Sequence, residues 1–249
     1  MCFYRASEKV NEMFLSVVIP AYNEEKRLPA TLSKVRDYLS RQKYEWEVLI
    51  VNDGSKDNTS AVVSDLIKDW DRFKLIDNQQ NQGKGGVVKQ GMLEAKGEWR
   101  LFMDADNSTD VSEVEKLWPF KENFEIIIGS RYLDKDSIKV KQPLMRRMVS
   151  RFGNWLIRIL LGINMADTQC GFKLFSAKAA GDIFPKQTIM RWGFDMEVLA
   201  IARKKGYEIK EVAVDWYDAK DSTVKKSAAL KTLKELFIIK WNLMRGKYK

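Results

Sequence analysis

From residue 16 to about residue 130, short apolar runs recur and each ends in polar or glycine residues: "SVVIPAY", "EWEVLIVNDGS", "FKLIDN", "EWRLFMDAD" and "FEIIIGSR". Stretches with helical spacing lie between them. A continuous apolar run fits a strand buried on both faces, and its alternation with helices predicts an α/β sandwich around a mostly parallel sheet. In such sheets ligands bind beyond the carboxyl ends of the strands, near the point where strand order reverses. Those ends read "PAYNEE", "NDGSKDNT", "DNQQNQGKGG", "DADNSTD" and "GSRYLDKD", so the chemistry is expected there.

Beyond Arg131 the pattern changes. In "PLMRRMVSRFGNWLIRILLGI" a helix can begin at Pro143. At about 100° per residue, Leu144, Met145, Met148, Val149, Phe152, Trp155, Leu156, Ile159 and Leu160 share one half of the wheel, and Arg146, Arg147, Arg151 and Arg158 the other. "MADTQCGFKLFS" reads as loop then strand, "WGFDMEVLAIARKKG" as helix and "YEIKEVAVDW" as a last strand. The tail is a helix with a Leu230, Leu233, Phe237, Trp241, Met244 stripe and interspersed cations.

What the chain lacks narrows its chemistry. It has no histidine, so imidazole serves neither as zinc ligand nor as base, and a metal would be held by oxygen. Cys2 and Cys170 form no disulfide framework, and no stretch reads as a signal peptide or a bilayer span, which predicts an intracellular protein. The net charge of +9 is unevenly placed. Residues 131–163 carry eight Lys/Arg against two acids (+6), residues 220–249 nine against two (+7), and the remainder nets −4. Two basic amphipathic segments of this kind fit either core helices or docking on an anionic membrane surface, and the flanking tryptophans favour the second.

The strand ends offer several constellations, each with a plainer alternative. Asp104 and Asp106 can both turn toward one hard cation if the backbone leaves the strand between them; a solvated turn is the alternative. Asp53 is placed to accept hydrogen bonds from a base or ribose, or to close a turn ahead of a helix capped by Asp57 or Asn58. "NQGKGGVVKQG" is not a Walker loop, yet Lys84 beside amides at a helix start can meet an anion. Arg131 can pair with phosphate bidentately, or simply with a surface acid. Asp110 reads as an acid at the next helix start, close to Ser112.

Taken together, "VVIPAYNEE", "VNDGSKDNT", "NQGKGGVVKQG", "MDAD", "GSR", "DTQCGFKLF" and "RWGFDMEVLAIARKKGYEIKEVAVDW" resemble the family 2 glycosyltransferases of GT-A fold. They look most like the dolichyl-phosphate (polyprenyl-phosphate) β-glucosyltransferases and the related dolichol-phosphate mannosyltransferases. The resemblance runs from about residue 15 to the C-terminus. It implies one catalytic domain over 1–249: an extension (1–14), a nucleotide-sugar half (15–130), an acceptor half (131–220) and a basic amphipathic helix (221–249).

The resemblance also implies roles. Pro20, Tyr22, Glu24, Val51, Asp53, Lys84, Asp104 and Ala105 fall at nucleotide-sugar positions, and Asp104 and Asp106 at the metal ligands, for Mg²⁺ or Mn²⁺. Ser108 stands where mannosyl relatives often carry a Gln ligand. Arg131, with Arg146 or Arg147, falls where relatives bind lipid phosphate, and Asp167, Gln169, Asp195 and Glu197 match acceptor-side positions. Gln187 precedes Arg191 and Trp192 by one residue more than the QxxRW of processive polymerases, which sets polymer synthesis aside.

The expected activity is inverting transfer of a hexose, glucose from UDP-glucose, to a dolichyl or polyprenyl phosphate, peripherally on the cytoplasmic face of a membrane. A phosphomonoester acceptor is anionic at neutral pH and needs little deprotonation, with Asp167 or Asp195 the candidate if a base assists. Alternatives are GDP-mannose as donor, a soluble acceptor, a nucleotidyltransferase, or a basic module without catalysis. The aromatic interleaving of a nucleic-acid binder is not visible.

Overall fold

The computed structural model describes residues 13–134, 153, 155–217 and 227–248. A seven-stranded sheet runs in the order β3-β2-β1-β4-β6-β5-β7. Its strands are β1 (Leu15–Ala21), β2 (Trp46–Asp53), β3 (Phe73–Asn78), β4 (Trp99–Met103), β5 (Ile126–Ser130), β6 (Phe172–Ser176) and β7 (Ile209–Ala213). The first four pair in parallel, and β5 pairs in parallel with β7. Among the described strands only β6 is reversed, antiparallel to both β4 and β5. The mostly parallel α/β sandwich expected from the apolar runs is therefore present, with one reversed strand that they did not announce.

The runs are continuous because each strand feeds two cores. Val18, Val51, Phe102, Ile126, Ile128 and Phe175 belong to one core with α3 (Lys84–Glu94), α5 (Ala177–Ile183), α6 (Phe194–Lys204) and α7 (Ser227–Met244). Val17, Ile19, Ile50, Leu101, Ile127 and Leu174 point the other way, onto α1 (Leu28–Leu39) and α2 (Thr59–Ile67). Alternate side chains of a strand face opposite sides, so burial on both needs apolar residues throughout. Residues 155–161, labelled α4, are helical, with Ile157 buried and Trp155 and Ile159 exposed. Arg146, Arg147 and Arg151, with most of the basic segment expected before Trp155, lie outside the described residues.

Strand order reverses between β1 and β4. The chain steps outward from β1 to β2 and β3, then returns to β1's other side as β4. Reversed β6 starts where β4 ends, Met103 opposite Phe172, so the loop preceding it lies at the same sheet edge as the loop leaving β4.

Candidate active site

The carboxylate pair sits at this switch point. Asp104 leaves β4 with its amide donating to the Gly171 carbonyl (3.0 Å), and its carboxylate fills the space a side chain at 171 would need. Asp106 turns back to accept from the Ser108 amide (3.0 Å) while Asn107 takes a positive φ of 52°. Thr31 of α1 donates to the Ala105 carbonyl (2.7 Å) and pins the residue between them. Ser108 is buried, and its carbonyl accepts from the Tyr217 amide (2.8 Å). Asp110 accepts from the Ser112 amide and hydroxyl, as expected of a helix-start acid, here of a 3₁₀ turn.

Lys84, the first residue of α3, reaches Asp104 at 2.6 Å. Burial works against its charge, but the Asp104 and Asp195 carboxylates outweigh it and hold its pKa above the usual lysine range. Glu24 is half-buried and forked by Arg27 (2.6 and 2.8 Å); burial foremost, then the negative charge of Asp106 and Asp104, raises its pKa despite that arginine. Three carboxylates thus crowd one edge. Among the described residues no group of three or more metal-capable side chains surrounds one point. Two hard oxygen donors at an open edge fit a divalent cation that takes its other ligands from water and a diphosphate.

The remaining nucleotide candidates are arranged less uniformly. Tyr22 is exposed at the edge, whereas Pro20 and Val51 are buried. Val51 packs toward Gly91 of α3, where a Cβ would lie 3.0 Å from its methyl group. Asp53 accepts from the Gln82 amide (2.6 Å), the Gly83 amide (3.1 Å) and the Asn81 side chain (2.9 Å). It therefore clamps the loop that carries Lys84. The helix-start acid nearby is Asp57, which accepts from the Thr59 amide and hydroxyl, while Asn58 makes no such bond.

Two of the residues expected to meet the acceptor hold each other. Arg131 and Asp167 form a two-pronged pair (2.6 and 2.9 Å), with the Arg131 amide adding a third bond at 3.1 Å. Burial would raise the Asp167 pKa, but the guanidinium holds it below the carboxylate range, which makes Asp167 a poor base. Arg131 also lies over the Trp216 and Tyr132 rings (5.5 and 5.2 Å). Gln169 is exposed near them. Asp195, at the start of α6, is paired with Lys173 at 2.5 Å and is nearly enclosed. Glu197, fully buried, is bonded to Thr188, Ile189 and Tyr248.

Several contributors escaped the motif reading. Gly171 matters through the side chain it lacks. Lys173, fully buried, donates to Asp195 and to the Cys170 carbonyl; a lysine inside the apolar strand "FKLFS" was the available signal. Glu211 of β7 accepts from the Ala166 and Asp167 amides (2.9 and 2.7 Å) and fixes the approach to β6. Burial pushes the Cys170 thiol up to about 12, so it is not a nucleophile at neutral pH.

A sheet with ligand-ready strand ends at its switch point, a carboxylate pair and a basic residue opposite it are the parts of a nucleotide-sugar transferase, and a family model described as "Glycosyl transferase family 2" matches residues 16–184. The chain belongs to that family and is a glycosyltransferase. It is similar to dolichyl-phosphate β-glucosyltransferases: one from Trichomonas vaginalis is 37% identical, with 92% of this chain and 73% of the relative covered. The proteins of Saccharomyces cerevisiae (35%; 96% and 77% covered) and Homo sapiens (37%; 94% and 77% covered) are comparable. The likeness drawn from the motifs is thereby borne out.

Among solved structures, mannosyl-3-phosphoglycerate synthase from Rubrobacter xylanophilus superposes with a TM-score of 0.71 at 13% identity, covering 94% of this chain and 75% of that one. Glucosyl-3-phosphoglycerate synthase from Mycobacterium tuberculosis, in complex with Mn²⁺, UDP-glucose and phosphoglyceric acid, gives 0.66 at 15%, covering 92% and 80%. At such identities the likeness speaks for the fold, which is GT-A.

Proposed function

We propose that this enzyme transfers glucose from UDP-glucose to a dolichyl or polyprenyl phosphate at a membrane surface, with Mg²⁺ or Mn²⁺ held by Asp104 and Asp106. The observation that carries the reading is the Asp104 carboxylate seated on Gly171 and faced by Lys84 at the switch point. The names of relatives 33–39% identical over most of the chain support the sugar and the acceptor.

When bound, the cation would neutralise charge developing on the departing diphosphate. Lys84 adds a second positive charge on the same side, from the start of α3. Asp106, fixed by its bond to Ser108, keeps the second carboxylate turned to the edge. Asp167, held ionised by Arg131, orients that guanidinium rather than removing a proton. The acceptor phosphate is already anionic, so chain groups need only position it.

Membrane docking is supported by α7. Leu233, Phe237, Trp241 and Met244 recur every three or four residues and are all exposed, Trp241 by 58% and Met244 by 70%. Lys231, Lys234 and Arg245 are exposed on the same helix and the turn after it, with Arg245 over the Trp241 ring (5.7 Å). Among the described residues no helix is long and apolar enough to cross a membrane. An apolar stripe flanked by cations fits the surface of an anionic bilayer.

The test is incubation with a panel of UDP- and GDP-sugars, a polyprenyl phosphate and Mg²⁺ or Mn²⁺, followed by mass measurement of the lipid. A hexosyl-phosphate lipid formed from UDP-glucose is expected. Product only from GDP-mannose, or only on soluble acceptors, would refute the donor or the acceptor. In the same preparation Phe237→Ser with Trp241→Ser should weaken sedimentation with phosphatidylserine vesicles by about tenfold or more, since burying one such side chain is worth ~1.5–3 kcal/mol. Unchanged sedimentation would remove the docking role.

A further inference from the structure

The turn that carries Lys84 is covered by the loop 187–193. The Gly86 amide donates to the Met190 carbonyl (3.1 Å), and the Gln187 side chain donates to the Gly85 and Ile189 carbonyls (2.9 Å each). A Cβ at Gly83 would overlap the Met190 carbonyl, and one at Gly85 would come within 2.8 Å of the Ile189 carbonyl. The Trp192 ring lies 5.3 Å from the Lys84 ammonium. The placement of Lys84 against Asp104 therefore depends on where this loop sits.

The loop has little regular structure of its own, and Met190 and Trp192 are exposed. It is held from behind by the C-terminal part of the chain. The Tyr248 hydroxyl, buried, donates to Glu197 Oε1 (2.6 Å), the carboxylate that also receives the Thr188 hydroxyl (2.6 Å) and the Thr188 and Ile189 amides (2.9 and 2.7 Å). Asn242 donates to the Tyr248 and Thr188 hydroxyl oxygens (3.0 and 3.3 Å). At the other end of the loop, the Gly193 amide donates to Glu235 Oε2 of α7 (2.7 Å).

We propose that Tyr248 and Glu235 are positioning residues of the donor pocket, which hold the 187–193 loop against the glycine turn that presents Lys84. The proposal rests on the reading that Lys84 faces the donor diphosphate. Neither residue is near the carboxylate pair in sequence, and neither belongs to a motif that reads as nucleotide-binding. Their effect is expected on donor binding rather than on the transfer step, because they touch the loop and not the reacting atoms.

The measurement is UDP affinity by calorimetry with Mn²⁺ present, together with donor KM, kcat and thermal midpoint. Tyr248→Phe keeps the buried ring and removes one hydroxyl donated to a carboxylate, a bond whose loss costs enough to weaken UDP roughly five- to tenfold. Donor KM should rise to the same degree, with kcat within about twofold. Glu235→Ala should act in the same direction, and Glu235→Gln, which retains an acceptor for Gly193, should restore affinity. Tyr207→Phe removes a hydroxyl bonded to the Asp182 carboxylate elsewhere on the surface and serves as the control, with UDP affinity unchanged. If wild-type protein binds UDP and both Tyr248→Phe and Glu235→Ala bind it equally well, the positioning role is overturned and the donor reading stands. If the wild type binds no uridine or guanosine diphosphate, the donor reading falls and this proposal with it.

Discussion

Gly171→Ala is expected to abolish transfer about as completely as Asp104→Asn, a loss of roughly a thousandfold in kcat/KM by analogy with removal of a principal charge-stabilising group. Gly171 does not take a positive φ, so alanine meets no backbone penalty there. What it meets is the Asp104 carboxylate, which occupies the space of the missing Cβ. The carboxylate must swing away from Lys84 and from any shared cation, while the Met103–Phe172 pairing and the bond from the Asp104 amide to the Gly171 carbonyl persist. Circular dichroism and a thermal midpoint near wild type should accompany the loss, and Mn²⁺ affinity in the presence of UDP should fall in both variants. Full activity in Gly171→Ala would mean that the carboxylate works in another orientation; full activity in Asp104→Asn would remove the metal assignment.

Arg131→Met is expected to give the largest loss of stability. It leaves the fully buried Asp167 carboxylate with the amides of Arg131 and Gln169 and no ion-pair partner, the Lys173 ammonium acting on it only as a weaker, more distant charge. Breaking a buried pair from one side costs ~3–5 kcal/mol, which in a chain of this length lowers the thermal midpoint by about 10 °C. The pH dependence has a definite sign. In the wild type the Asp167 pKa lies below its unfolded value of about 3.9, so the pair's contribution is complete above that value and is lost as pH falls through the folded one. In the variant the lone buried carboxyl titrates higher and takes a proton on mild acidification, which relieves the cost. The gap in midpoint between the two proteins should therefore be widest near neutrality and narrow toward pH 5. A gap independent of pH would show that the ion pair is not its source. Arg131→Lys keeps the charge but loses the fork, so a raised acceptor KM with a smaller drop in midpoint is expected if the guanidinium also meets the acceptor phosphate.

The legible part of the site was local. Asp104 and Asp106 declared themselves by lying one residue apart at the end of an apolar run, Asp110 by standing two residues before Ser112, and the turn before α3 by its glycines. In each case the partners lie within a few residues, so composition and spacing carry the information. The apolar stripe of α7 was legible too, but not its direction. Helical spacing places Leu233, Phe237, Trp241 and Met244 on one face whether that face meets a core or solvent, and in the fold Leu236 and Ile239 take the core instead.

The strand and helix alternation and the mostly parallel sheet were already written in the linear chain, because burial on two faces imposes an apolar pattern on every strand. That β6 runs backwards between β4 and β5, and so delivers Gly171 to Asp104 and Asp167 to Arg131, was settled in three dimensions. The tertiary structure likewise decided that Tyr248 closes on Glu197, 51 residues away. These pairings are set by how the chain returns across the sheet, and a charge or a glycine in a linear sequence bears no mark of the distant partner that the return will bring to it.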